Sequence, residues 1–160
     1  MTKLSKISTF AALGIVSALA LAGCSSFGGA TAPAGLSAGL TARMDQPGAT
    51  LDRQQAIALI NSYRATRGVA PLTPDAGLDG AAQALANQYA QTGNAPSKPQ
   101  ALTQMKLSAG YATFAETFSG WRNSPADAAG LTAAATKGGV AMAFNPSSSY
   151  GIYWVLVLGN

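Results

Sequence analysis

The sequence predicts an α+β fold in which helices pack on a small, mainly antiparallel sheet. Two observations support this prediction. Apolar side chains recur at helical spacing through the middle of the chain, and the chain ends in two apolar segments typical of strands, at 139–144 and 152–158. Helices that precede a pair of adjacent strands favour a layered fold, because each apolar helix face has to be buried against the sheet.

The first two helices are located by their capping residues and by their apolar spacing. One helix is predicted to begin after Asp52, which forms a capping pattern with Gln55, and to end at Gly68. A second helix is predicted to follow a proline-containing connector, with Thr73 as its cap, and to end near Gly93. Each carries its apolar residues on one face, which indicates that this face is buried.

Two further helices are predicted from the capping-box pattern. Thr113 and Glu116 form one such pattern, and Ser124 and Asp127 repeat it further along the chain. A polar loop precedes them, with a short strand predicted near 105–107. Large aromatic residues at helical and strand spacing are interpreted as core rather than as the lining of an apolar ligand pocket: Tyr63, Tyr89, Phe114, Phe118, Trp121 and Trp154.

Cys24 is the only cysteine of the chain and follows Leu-Ala-Gly at 21–23. Lys3 and Lys6 precede an apolar run over 10–20, and this order of basic, apolar and small residues is typical of a signal peptide. The segment resembles the lipobox of bacterial lipoproteins, which implies cleavage before Cys24 and lipid attachment to its sulfur. The alternatives are a plain secretory signal and an uncleaved membrane helix, for which the run is shorter than the roughly 20 residues required.

Three segments differ in composition and predict the domain organisation. Residues 1–23 are the predicted signal peptide, residues 24–50 a lipidated flexible tether rich in small residues, and residues 51–160 the folded domain. Ser25 follows Cys24, and by analogy with enteric lipoproteins this favours the outer membrane, facing the periplasm. A short helix within the tether remains an alternative, because three apolar residues there are spaced four apart: Leu36, Leu40 and Met44.

The composition excludes several classes of function. The formal net charge of +4 falls to +2 once Lys3 and Lys6 leave with the signal peptide, and the other basic residues are scattered, so no nucleic-acid partner is expected. The chain has no histidine, and its one thiol is expected to be lipidated, which excludes a transition-metal site with nitrogen or sulfur ligands. A serine nucleophile would also lack an imidazole base.

Four short segments occur in an order and spacing that resemble a known family. They are Leu-Ile-Asn-Ser-Tyr-Arg at 59–64 followed by Gly68 and Pro71-Leu72, Trp-Arg-Asn-Ser-Pro at 121–125, Gly-Val-Ala at 139–141 and Tyr-Trp-Val at 153–155. Together they resemble the CAP superfamily of cysteine-rich secretory, antigen 5 and pathogenesis-related proteins, over about residues 52–160. The resemblance implies an α-β-α sandwich.

The chain departs from this family at the residues of the cleft. The family usually places two histidines and acidic residues there, and in some members these bind a divalent metal. Here Asp127 stands at one histidine position, Met105 at the glutamate position of the preceding strand, and the loop 95–101 offers Ser97 where the other histidine is expected. With Glu116, these residues form the candidate cleft.

Glu116 and Asp127 have two interpretations. As third residues of capping boxes they would accept hydrogen bonds at helix starts, and this interpretation is favoured. As a residual site they would form an acid–base pair or hold Ca²⁺ or Mg²⁺ weakly. We therefore predict no catalytic residue, no metal and no cofactor.

The sequence favours a lipid-anchored cell-envelope protein with a degenerate, non-catalytic CAP-like domain. Its partners are expected to be the membrane, through the anchor, and an envelope component or a small apolar ligand such as a lipid. The alternatives are a hydrolase that uses Glu116 and Asp127 in a reshaped cleft, and a purely structural envelope lipoprotein. The sequence leaves the oligomeric state open.

Overall fold

A four-stranded sheet lies between two layers of helix in the computed structural model, which describes residues 35–160. Cys24, the predicted signal peptide and the first part of the predicted tether lie outside the described residues. The elements in chain order are α1 (Ala38–Thr41), α2 (Arg53–Thr66), β1 (Thr73–Pro74), α3 (Ala76–Thr92), β2 (Gln104–Ala109), α4 (Phe114–Asn123), α5 (Pro125–Leu131), β3 (Lys137–Phe144) and β4 (Ile152–Gly159).

The sheet is mainly antiparallel and has the strand order β1-β3-β4-β2. β4 pairs antiparallel with β3 on one side and with β2 on the other, and β1 adds two residues parallel to β3. Because β4 is central and all eight of its residues are buried, its sequence is a nearly continuous apolar run. The predicted pairing of the last two strands is confirmed.

Each face of the sheet has its own core. Val140 and Leu156 face α1, α2, α4 and α5, whereas Ala141 and Val155 face α3. Side chains alternate between the faces of a strand, so adjacent residues of β3 and β4 serve different layers. This arrangement is the α-β-α sandwich that the resemblance implies, and the prediction is confirmed.

Helix α3 lies unusually close to the sheet. A Cβ added to Gly139 of β3 would lie 2.2 Å from the carbonyl carbon of Leu78 and 2.4 Å from the backbone nitrogen of Asp79. The carboxylate of Asp79 accepts a hydrogen bond from the N–H of Val140 at 2.9 Å, beyond the point where β1 ends. The Gly-Val-Ala segment of the family resemblance is therefore explained by this close approach.

The capping predictions are confirmed for α2 and α4 and wrong for α3. Asp52 Oδ1 accepts from the Gln55 N–H at 3.0 Å. For α3 the cap is Asp75, whose Oδ1 accepts from Leu78 at 2.9 Å, and not Thr73. Thr73 is extended because its N–H donates to the Thr136 carbonyl at 2.9 Å, alongside β3.

The predicted tether is wrong for the part that the structure describes. Residues 38–41 form α1, and Leu40 and Met44 are buried in the core that faces α2 and α4. The Met44 N–H also donates to the Ala112 carbonyl at 2.8 Å. Burying two large apolar side chains one helical turn apart stabilises the folded chain more than leaving them exposed in a solvated linker. Among residues 35–160, no helix is long and apolar enough to cross a membrane.

Candidate functional site

The four candidate cleft residues lie in different environments. Glu116 is exposed in the first turn of α4, Asp127 lies in α5, and Ser97 is exposed in the loop after α3. Met105 packs on the α3 side of β2, within the second core. Within residues 35–160, no hydrogen bond or ion pair joins any two of these four side chains.

Glu116 completes the capping box at the start of α4. Its Oε2 accepts hydrogen bonds from the N–H and the hydroxyl of Thr113, both at 3.0 Å, while its own N–H donates to Thr113 Oγ1 at 3.2 Å. A carboxylate at this position also interacts favourably with the helix dipole. The capping interpretation of Glu116 is confirmed.

Asp127 does not cap α5. Ser124 makes no side-chain hydrogen bond at the start of that helix, so the second capping box is not formed. Instead, Asp127 Oδ1 lies 2.7 Å from Lys106 Nζ, and the two side chains are 34% and 12% exposed. The prediction was wrong because a cation distant in sequence competes for the carboxylate.

Lys106 is the site residue that sequence reasoning missed. It follows Met105 on β2 and therefore faces the opposite side of the sheet, towards α5. Room for it depends on Gly130 of α5, where an added Cβ would lie 2.7 Å from Lys106 Cδ and 3.2 Å from Gln104 Nε2. The available signal was the alternation of polar and apolar residues along β2.

The segment at 59–64 that carries the family resemblance is structural. Arg64 is 1% exposed, and its guanidinium donates to four backbone carbonyls at 2.8–3.2 Å, those of Ala70, Leu131, Ala133 and Ala135. Burial lowers the pKa of Arg64 from its ordinary value. Arg64 thereby joins the end of α2 to the connector between α5 and β3.

Three tyrosines cluster on the α3 side of the sheet. The ring centroids of Tyr89 and Tyr153 are 4.7 Å apart, and Tyr150 meets Tyr153 at 6.2 Å. Burial, followed by the proximity of Tyr150 and Tyr153, raises the pKa of Tyr89. Among residues 35–160, the buried hydroxyl of Tyr153 has no hydrogen-bond partner. In the part of the chain that the structure describes, no cation or carboxylate hydrogen-bonds to these three side chains.

The described part of the chain brings no three His, Cys, Asp or Glu side chains together in a group that could hold a metal ion. Of the two acidic candidates, Asp127 is paired with Lys106, and Glu116 is engaged through Oε2 in the capping box of α4.

Comparisons with known proteins agree with this fold. A family model described as "CAP: Cysteine-rich secretory protein family" matches residues 57–158. An outer surface protein from Borrelia burgdorferi is 16% identical with a TM-score of 0.54, and the alignment covers 67% of this chain and 91% of that one. MpPR-1i, from a crystal soaked with selenourea, is 20% identical with a TM-score of 0.53, covering 66% and 87%.

No curated protein sequence matches the chain. At these identities the two structural neighbours show the fold alone. The family model is different, because it matches well over half of the sequence, including all of β2, α4, α5 and β3. The chain therefore belongs to the CAP family of cysteine-rich secretory proteins.

Proposed function

We propose that this chain is a lipid-anchored protein of the bacterial cell envelope whose CAP domain acts by binding an envelope component and not by catalysis. The observation that carries the proposal is the Lys106–Asp127 ion pair, at 2.7 Å, at a position where the family resemblance places a histidine. The ammonium of Lys106 already neutralises the Asp127 carboxylate, which is what a bound metal ion would otherwise do.

The other acidic candidate is engaged through one of its two carboxylate oxygens. Glu116 Oε2 accepts from the N–H and hydroxyl of Thr113, so it stabilises the start of α4. The alternative hydrolase that uses Glu116 and Asp127 would need at least one of these carboxylates to act on a water or a substrate proton. The sequence has no histidine to take over that role.

The proposed anchor is Cys24, with its diacylglyceryl group and acylated amino terminus. A single acyl chain binds a membrane only marginally, whereas several together hold a protein stably. A structural neighbour is named an outer surface protein, which supports the use of this fold at a bacterial surface. Ser25 after Cys24 supports the outer membrane, facing the periplasm.

The anchor is tested by cell fractionation of the full chain with Cys24→Ala. We expect this variant to move from the membrane fraction to the soluble fraction, while the matched control Ser26→Ala stays with the membrane. Retention of the Cys24→Ala protein in the membrane fraction would show that the anchor is not a lipid on this residue.

The proposal that the domain does not act by catalysis is tested by titrating the protein with Zn²⁺, Ca²⁺ and Mg²⁺ in a calorimeter. We expect no tight binding, since the ammonium of Lys106 repels a cation at Asp127. Lys106→Met is the informative variant, because it removes that cation and keeps a stem of similar length. Tight metal binding by the unaltered protein would contradict the proposal.

A further inference from the structure

The outer side of α4 carries a groove of about 440 Å³ that lies apart from the Lys106–Asp127 pair. This volume is within the range of about 300–1,000 Å³ that small-molecule sites occupy. Its lining combines one aromatic ring and one glycine with four polar residues and consists of Tyr111, Glu116, Ser119, Gly120, Asn123 and Ser124.

The floor of the groove is one stripe of α4. Glu116, Ser119, Gly120 and Asn123 stand at helical spacing on the side opposite the buried aromatic residues of this helix. Apart from Glu116, these residues have short side chains or none, and the ring of Tyr111 lies against Gly120. With the Tyr111 ring, this face of α4 forms a shallow, open surface that carries polar side chains.

Hydrogen-bonding capacity remains along this floor. The side chain of Ser124 makes no cap hydrogen bond, and among residues 35–160 the Asn123 amide donates only to Ser119 Oγ, at 3.4 Å. The capping box occupies Glu116 Oε2, while Oε1 has no partner among residues 35–160. The groove thus offers hydroxyl, amide and carboxylate groups, each available to a ligand with hydroxyls.

Tyr111 forms the wall of the groove and is held rigidly by its backbone. Its carbonyl accepts a hydrogen bond from the indole Nε1 of Trp154 at 2.8 Å. The N–H of Gly110 donates to Ile152 at 2.9 Å, and the carbonyl of Ala112 accepts from Met44 at 2.8 Å. The residue nevertheless remains 43% exposed, so an aromatic ring faces solvent from a well-anchored stretch of backbone.

Gly120 explains how the ring is seated. A Cβ added there would lie 3.1 Å from Tyr111 Cε2 and 3.2 Å from its hydroxyl oxygen. A glycine inside a helix costs about 0.5–1 kcal/mol relative to alanine. Helix stability alone therefore disfavours a glycine at this position. The close approach of Tyr111 to α4 favours it, because a larger residue would crowd the ring.

We infer that this groove binds a neutral glycan chain, with a sugar ring packed against Tyr111 and its hydroxyl or acetamido groups bonded to Ser119, Asn123 and Ser124. This names the class of envelope component in the proposed function and rests on it. The single charge, on Glu116, disfavours an anionic ligand. The polar floor disfavours a lipid tail, which requires apolar lining.

The test is calorimetric titration of the detergent-solubilised full chain with two probes. These are a tetrasaccharide of β-1,4-linked N-acetylglucosamine and a tetrasaccharide of β-1,4-linked glucose. We expect binding of at least one, weakened roughly tenfold by Tyr111→Ala, because a ring contact is lost, and roughly fivefold by Asn123→Ala, because one hydrogen bond is lost. The matched control Tyr150→Ala removes another exposed tyrosine outside the groove and should leave the affinity unchanged.

Gly120→Ala separates binding from stability. It should keep or raise the urea midpoint of unfolding and still weaken the tetrasaccharide, since the new methyl group displaces Tyr111. Absence of binding of both tetrasaccharides, or equal weakening by Tyr111→Ala and Tyr150→Ala, would overturn the inference. Fractionation of Cys24→Ala reports on the anchor independently, so a failure of the glycan site is distinguishable from a failure of the anchor.

Discussion

The side-chain amide of Asn61 hydrogen-bonds both backbone groups of Leu72. Its Oδ1 accepts from the Leu72 N–H at 2.7 Å, and its Nδ2 donates to the Leu72 carbonyl at 2.9 Å. These two bonds fix the connector between α2 and β1. Asn61 and Arg64 both belong to the segment 59–64 that resembles the family. Both side chains hold neighbouring backbone segments against α2.

Removal of the Asn61 amide should therefore destabilise the domain without altering its surface. We expect Asn61→Ala to lower the free energy of unfolding by about 1–3 kcal/mol, because two part-buried backbone groups lose their partner. Urea unfolding followed by tryptophan fluorescence measures this. Gln88→Ala, at an exposed position of α3, is the control and should change stability by no more than about 0.5 kcal/mol. Equal effects of the two changes would contradict the assignment.

The close approach of α3 to β3 predicts opposite outcomes for two glycines. Gly139→Ala should cost about 1–3 kcal/mol or more, because its Cβ meets the backbone of Leu78 and Asp79 rather than a movable side chain. Gly80→Ala lies in α3 with no atom within 4 Å of the added Cβ, so it should stabilise by about 0.5–1 kcal/mol. Thermal unfolding of both variants reports the difference, and a tolerated Gly139→Ala would disprove the contact.

The two capping-box patterns should respond differently to the loss of their first residue. Thr113→Ala should destabilise by about 1 kcal/mol, because it removes a formed cap. Ser124→Ala should change stability by less than about 0.5 kcal/mol, because the Ser124 side chain caps nothing. Chemical denaturation of both variants provides the comparison. A large effect at Ser124 would restore the capping interpretation of α5.

The ion pair between β2 and α5 predicts a positive coupling energy. In a double-mutant cycle of Lys106→Met and Asp127→Ala, we expect a coupling of about 0.5–1 kcal/mol, since Asp127 is partly solvated. The cycle is measured by urea unfolding at low salt. Strict additivity would mean that the two side chains do not interact in solution.

The tyrosine cluster predicts a loss of stability at alkaline pH. Because burial raises the pKa of Tyr89 above its ordinary value of 10.0, the unfolded chain releases this proton first as the pH rises. The stability is fully present below about pH 10 and is lost as the pH rises through the pKa of the folded state. Urea midpoints at about pH 8 and about pH 11 measure the loss, which Tyr89→Phe should reduce. Tyr111→Phe is the control and should retain the loss of the unaltered protein; an unaltered loss in Tyr89→Phe would refute the prediction.

The sequence predictions were correct where the interacting residues are neighbours in the chain and wrong where the partner is distant in sequence. Asp52 and the Thr113–Glu116 box were predicted correctly because each cap acts within one helical turn. Asp127 was predicted wrongly because its partner, Lys106, lies on a strand that the fold brings beside α5. Helix patterns carry no information about which strand becomes a neighbour.

The same reason accounts for the errors outside the site. Thr73 is extended because Thr136, far away in sequence, accepts its N–H. Met44 is buried because the turn after β2 offers it the Ala112 carbonyl and an apolar surface. The segment around Leu40 and Met44 is rich in small residues, as linkers are. Only the apolar surface that buries these two side chains distinguishes it from a solvated linker.

The sequence by itself carries the motifs by which the chain resembles its family. It also determined the apolar strand β4 and the starts of α2 and α4, since these depend on periodicity and on contacts within a few residues. Only the tertiary structure decided that Asp127 pairs with Lys106 and that Tyr111 rests on Gly120. Both relationships join residues from different elements, so their geometry exists only after the helices have packed on the sheet.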